Sequence, residues 1–270
     1  MATETEGVKE HYRAENLAER VLAAAAAAGI TTITPEAFAP VDQFHSGGIL
    51  STRALAEFAG LQAGEKVIDL GSGLGGPTRV LASEFGCDVT GIDLSPEFIE
   101  AARTLTERCG LSGEAHFQQG DALALPFADG SFDVAWTQHV VMNINDRQTF
   151  YSEAARVLKP GGRLAFFDIL FRTPDARLDF PQPWARTPDI SFVYDEPATK
   201  AFLSNAGLVE ESWLDVTQES VMQMQQQPPT GAYSLEVVLG EDLAPRIANV
   251  AKAMMSGQLM IIRALFRKPG

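Results

Sequence analysis

The sequence predicts an α/β protein built on a Rossmann-like, doubly wound and mostly parallel sheet. Three observations carry that expectation. From residue 66 onward, short apolar runs alternate with helix-length segments, the pattern of a parallel sheet covered on both faces. The first run ends in a glycine-dense loop, VIDLGSGLGGPTR at residues 67–79. Asp93 then stands after the second run, near the offset of about 20 residues at which such folds place a ribose-binding acid.

In chain order, residues 6–28 read as one helix of strong formers stopped at Gly29. A second helix follows Gly47-Gly48 and runs to about Gly60. Strands are expected at 66–70, 88–92, 114–118, 132–136 and 163–169, with helices at 75–85, 96–109 and 146–157. Ser95-Pro96 opens the second of these helices, with Pro at the first helical position. Lys159-Pro160-Gly161-Gly162 reads as a turn into the fifth strand. Beyond it the alternation loosens. Residues 171–196 carry many prolines and aromatics, a helix at 196–206 and a strand at 208–216 follow, and QMQQQPP at 223–229 breaks the chain. A helix near 241–256 precedes a terminal strand at 258–266. The late segments are expected to cover the carboxyl edge of the sheet, where ligands bind in open α/β folds.

With 46% hydrophobic residues, the 270-residue chain can bury a sizeable core. A net charge of −14 disfavours sequence-independent binding to nucleic acid or to an anionic membrane. Arg79, Arg103, Arg108 and Arg156 read as solvated helix charges, and His11 and His116 as surface or helix residues. Cys87 and Cys109 have no metal-binding spacing, so no metal is expected and the thiols fit a reducing compartment. No leader or bilayer-length apolar run is seen, so the expectation is a cytoplasmic protein. A homodimer is left open.

The glycine loop parses two ways. Gly71, Gly73 and Gly76 make the G-x-G-x-x-G of dinucleotide sites, whereas Gly71, Gly73 and Gly75 make a nucleoside-cofactor loop. Both let backbone approach a ligand and aim a helix N-terminus at it. Asp121, after the third strand, adds an acid that can accept the exocyclic amine of adenine, with the next backbone N–H in reach of a ring nitrogen.

Taken together, VIDLGSGLGG, GIDLSPEFIEAAR, GDALALPFADGSFDVAW and ARVLKPGGRLAFFDI resemble the successive motifs of class I S-adenosylmethionine (SAM)-dependent methyltransferases. The resemblance covers roughly residues 42–170. It is similar to bacterial small-molecule enzymes: sarcosine/dimethylglycine N-methyltransferases, natural-product sugar O-methyltransferases and quinone- or tocopherol-type C-methyltransferases. The resemblance implies SAM as cofactor and a seven-stranded sheet with a reversed last strand. It also implies one methyltransferase domain over 1–270, with a helical cap (1–62), a cofactor-binding core (63–170) and substrate covers (171–270). By position, Gly71, Ser72 and Gly73 line the methionine and ribose end, Asp93 and Leu94 hold the ribose and flank adenine, and Asp121 and Ala122 hold the adenine edge. Gln43 and His45, in DQFHSGG, close over the amino-acid end, and Gln138 joins the cofactor contacts.

The catalytic candidates are His139, Asp168 and His45. His139 leaves the fourth strand at its carboxyl end and has a side chain that titrates in a useful range, so it is either a general base or a positioning group. As a base it predicts a rate that rises with pH through the ordinary histidine range. The relatives often carry an acid at the position of His139 and a histidine at that of Asn143, so this chain departs from them at both. Asp168 ends the fifth strand and can orient a substrate hydroxyl or cation. Trp184, Phe180, Tyr194 and Met222 are candidates for pocket lining. The function expected is methyl transfer to O or N, ahead of C, of a small-molecule acceptor. The alternatives are a non-methylating cyclase or isomerase on the same fold and, third, a nicotinamide-dependent oxidoreductase.

Overall fold

The computed structural model describes residues 4–12, 15–226 and 232–270. Among them, seven strands form one sheet: β1 (Lys66–Leu70), β2 (Asp88–Asp93), β3 (Ala115–Gln119), β4 (Phe132–Gln138), β5 (Leu158–Phe171), β6 (Val209–Asp215) and β7 (Leu259–Arg267). Their order is β3-β2-β1-β4-β5-β7-β6. β7 runs antiparallel to both β5 and β6, so it is the reversed strand of an otherwise parallel sheet. β1 lies beside β2 and β4, and its Val67, Ile68 and Leu70 are fully buried because both faces are covered.

Side chains alternate across the sheet with the strand period. Val134, Trp136, Ala165 and Phe167 face one core, and Ala135, Leu164 and Phe166 face the other, where Phe150 and Tyr151 pack. The helices are α1 (Glu4–His11), α2 (Leu17–Ala27), α3 (Pro35–Asp42), α4 (Gly48–Phe58), α5 (Gly76–Phe85), α6 (Pro96–Arg108), α7 (Arg147–Val157), α8 (Glu196–Asn205), α9 (Thr217–Gln226), α10 (Glu236–Leu239) and α11 (Leu243–Met255). None of the described helices is long and apolar enough to cross a membrane.

The expected strands and core helices appear within one to two residues, with these exceptions. The helix expected over 6–28 is two, because Asn16 takes a left-handed backbone (φ 51°) ahead of α2. Asn tolerates that conformation better than most residues, so no glycine or proline marks the break. α3 was not expected, although its start is written in the sequence: the Thr34 hydroxyl accepts the Ala37 N–H at 3.2 Å and Pro35 takes the first turn. β5 begins at Leu158 rather than 163, and the Lys159–Gly162 segment is a register shift within it, between the Phe132–Leu158 and Val134–Arg163 pairs. The glutamine stretch is helical through Gln226, and the rest of QMQQQPP lies outside the described residues.

Arg79 is not a solvated charge. It is fully buried, with one terminal nitrogen 2.6 Å from Asp42 Oδ2 and the other 3.0 Å from Thr106 Oγ1. The pair ties α5 to the end of α3 and to α6. The sequence conceals it because its partner is not a helical neighbour. His11 is likewise half-buried, 3.1 Å from the Pro183 carbonyl, whereas His116 is exposed.

Candidate active site

β1, β2, β4 and β5 all deliver their carboxyl ends to one edge of the sheet. A cavity of about 680 Å³ opens there, in the size range of small-molecule sites. α1, α3, α4, α6, α9, α10, α11 and the 43–47, 120–123, 139–146 and 183–192 segments contribute to the rest of its wall.

Gly71 and Gly73 take positive φ (78° and 53°) as β1 turns toward α5. A side chain at Gly71 would strike Val140 at 2.5 Å, and one at Gly73 would press on the Phe44 ring at 3.1 Å. The backbone of the loop therefore forms the cavity wall itself. Across from it, Asp93 Oδ2 accepts the Gly73 N–H and Oδ1 accepts the Ser95 N–H, both at 2.9 Å. Each carboxylate oxygen keeps an acceptor site for a further donor. Burial raises the Asp93 carboxyl above its ordinary value. Leu94, Asp121 and Ala122 line the same end, and Asp121 Oδ1 accepts the Leu123 N–H at 2.8 Å. Ser72 is not part of the cavity wall; its side chain packs toward Gly91 of β2.

At the other side of the loop, Gln43, His45 and Gln138 come together around the buried hydroxyl of Thr52, a residue that sequence reasoning missed. Thr52 Oγ1 lies 2.8 Å from Gln43 Oε1, 3.2 Å from Gln138 Oε1 and 3.1 Å from His45 Nε2. Trp136 Nε1 donates to Gln138 Oε1 at 3.0 Å. The two amide nitrogens are buried without a partner although both residues line the cavity. Burial lowers the His45 pKa to about 4, so its ring is neutral.

His139 sits where β4 ends, with a left-handed backbone (φ 52°). Its Nε2 is buried and unpartnered, and its ring stands 6.1 Å from that of His45. Burial first, and the neighbouring His45 second, hold its pKa well below the ordinary value. A neutral imidazole facing the cavity can accept a proton or a hydrogen bond. Asp168 lies behind it, fully buried and off the cavity wall. Its Oδ2 accepts the backbone N–H groups of Val140 and Val141, each at 3.2 Å, and its Oδ1 accepts the Ile169 N–H at 2.9 Å. Burial raises its pKa to about 6.

The far end is apolar, with Trp184, Phe192, Leu243, Ile247 and Val250 on the wall. Of the aromatic and Met candidates, Trp184 lines the cavity, whereas Phe180, Tyr194 and Met222 do not. Asn143 organises this end: its Nδ2 donates to the Trp184 and Ile190 carbonyls, and its Oδ1 accepts from Tyr12, the residue after α1, at 3.1 Å. Tyr12, which also lines the cavity, carried no sequence signal because its partners are remote in the chain.

These groups fit SAM. Asp93 offers free acceptor sites for ribose hydroxyls, and the two orphaned amide nitrogens offer donors for an amino-acid carboxylate.

A methyltransferase-domain family profile matches residues 68–166. The chain is 39% identical over 132 residues to the methyltransferase GfsG of Streptomyces halstedii, covering 49% of this chain and 48% of that protein. It is 35% identical over 169 residues to the 27-O-demethylrifamycin SV methyltransferase of Amycolatopsis mediterranei, covering 62% of each. The chain thus spans about half to three fifths of the length of these relatives. Among solved structures, the (4+2)-cyclase SpnF superposes with a TM-score of 0.72 at 22% identity, over 99% of this chain and 96% of that one. The motif series, the sheet with its single reversed strand and the matched domain agree: residues 68–166 carry a methyltransferase domain, in a chain that is similar to class I SAM-dependent methyltransferases.

Proposed function

We propose that this protein transfers a methyl group from SAM to the hydroxyl oxygen of a neutral, largely apolar small molecule. The observation that carries the proposal is the neutral imidazole of His139 on the wall of a cavity whose far end is apolar. Bound SAM supplies an electrophilic methyl group on a sulfonium, so alignment of the acceptor is the main demand on the protein. Asp93 and the glycine loop hold the nucleoside, while Trp184, Phe192 and the α11 residues surround the acceptor and exclude water. With SAM bound, the His139 imidazole would accept the proton that the hydroxyl gives up as the methyl group leaves sulfur for oxygen and S-adenosylhomocysteine is released.

Lys9 is the one cation among the described lining residues, against Glu36, Asp93, Asp121 and Asp146. That balance argues against a phosphorylated or carboxylated acceptor. The O-methylating name of the rifamycin relative supports oxygen as the acceptor atom. The experiment is a screen of neutral phenols and alcohols, neutral amines, and anionic analogues of each, scored by release of S-adenosylhomocysteine. Turnover confined to neutral hydroxyl compounds supports the proposal. Turnover confined to amines, with His139→Asn close to wild type, would move the acceptor atom to nitrogen.

A further inference from the structure

We propose that Thr52 is a positioning residue that orients the amides of Gln43 and Gln138 as a neutral clamp for the carboxylate of the cofactor. The inference rests on SAM being the cofactor and is independent of the acceptor.

The indole N–H of Trp136 can only donate, so the Gln138 atom 3.0 Å from it is the amide oxygen. That contact turns Gln138 Nε2 away from the hub, buried and without a partner. Thr52 does the same for Gln43. Its hydroxyl has one proton, and Gln43 Oε1, at 2.8 Å, is the nearest acceptor. His45 Nε2, 3.0 Å from the same oxygen, adds a second donor to it. Both amide oxygens are thereby engaged at the hub; the Gln138 NH₂ is left unpartnered, and the Gln43 NH₂ faces the Asp42 carboxyl without a hydrogen bond of normal length. Gln43 Nε2 lies against Gly76 at the start of α5, where a Cβ would come within 2.7 Å of it. Room for this amide therefore depends on a glycine at that position.

Thr52, Gln43 and Gln138 are all at least nine-tenths buried (0%, 2% and 8% exposed), so the unmet donors are not satisfied by bulk solvent. The N–H groups that these amides do not turn toward Asp42, with no cation among them, suit a single carboxylate. Without the Thr52 hydroxyl, the Gln43 amide loses its nearest donor and is free to turn its oxygen toward the ligand, replacing attraction by repulsion.

The test compares two nucleosides by calorimetry: S-adenosylhomocysteine, which carries the amino-acid end, and methylthioadenosine, which lacks it. In Thr52→Val, S-adenosylhomocysteine should bind about tenfold more weakly or worse, and methylthioadenosine should bind as in wild type. Thr52→Ser keeps the hydroxyl and should restore the affinity for S-adenosylhomocysteine. If Thr52→Val does not fold, Thr52→Ala carries the same two arms. Wild-type affinity for S-adenosylhomocysteine should also depend little on salt, because no charged side chain holds the carboxylate. Equal loss for both nucleosides would make Thr52 merely structural, and no loss for either would remove it from the site. Either result overturns the proposal. Failure of the wild type to bind either nucleoside would overturn the cofactor assignment and the proposal with it.

Discussion

The imidazole of His139 lies flat on the ring of Phe167, with centroids 5.1 Å apart and planes within 7°. The His139 backbone N–H also donates to the Phe167 carbonyl at 2.9 Å. Ring and backbone are thus fixed by the same residue of β5. A non-glycine residue at positive φ costs about 1–3 kcal/mol and persists only where its surroundings over-determine it.

The first prediction follows from this burial. His139→Asn keeps some hydrogen bonding but cannot take a proton, so kcat should fall by about a hundredfold or more. Cofactor affinity should change little. The sequence alone led to an expected rise in rate through the ordinary histidine range, and the structure corrects it. Burial holds His139 well below 6.5, so it is already neutral there. The wild-type rate should show no step near that value arising from His139. Turnover of His139→Asn close to wild type would end the base role.

Asp168 should instead supply the acid limb. Its pKa is raised to about 6, so as pH falls through that value the carboxylate takes a proton. It then loses acceptor capacity toward the Val140 and Val141 N–H groups, and the turn that carries His139 loosens. Turnover should drop below about pH 6, and Asp168→Asn should lack this limb while having a lower rate throughout. A pH–rate profile measures both, and an unchanged limb in the variant would contradict the assignment.

Asp69, at the end of β1, makes a prediction about stability. Its Oδ2 accepts the Thr78 hydroxyl at 2.6 Å, and burial raises its pKa from 3.8 to about 7. In that window the folded state holds a proton that the unfolded state has lost. The group's contribution is therefore fully present below the unfolded value and is lost as pH rises through about 7. Asp69→Asn removes the titration. The difference in Tm, variant minus wild type, should grow more positive with rising pH across that range. A pH-independent difference would show that Asp69 does not titrate there.

The Arg79–Asp42 pair is buried on both sides. Asp42→Ala leaves a guanidinium without its counter-charge, at a cost of about 3–5 kcal/mol. Because Gln43 is the next residue, cofactor affinity should fall as well. Urea unfolding measures the first effect, and a loss below about 1 kcal/mol would place the pair with weak surface bridges.

What the sequence disclosed follows a physical division. Gly71, Gly73, Asp93 and Asp121 were legible because each lies on a short loop within a few residues of a strand end, where the cavity opens. Gln43 and His45 were legible only through resemblance, because they reach the site from α3 and the turn before α4. Thr52 was not legible at all: a threonine inside a helix has no signature until Gln43, Gln138 and Trp136 surround it. The apolar end of the cavity was equally silent. Tyr12, Asn143, Trp184 and Leu243 meet from four separate segments, and their spacing follows no motif. Asp168 was recognised as a strand-end acid, but only the structure shows that its oxygens hold backbone rather than face the cavity.

The most direct test of the central claim is transfer of an isotopically labelled methyl group. The protein is incubated with methyl-labelled SAM and a neutral phenol or alcohol that scores in the release screen, and the product is examined by mass and NMR. The account predicts one labelled methyl per acceptor, bonded to oxygen, with S-adenosylhomocysteine formed in equal amount. A product of unchanged mass, formed equally well when S-adenosylhomocysteine replaces SAM, would contradict it and mark the protein as a cyclase or isomerase on this fold.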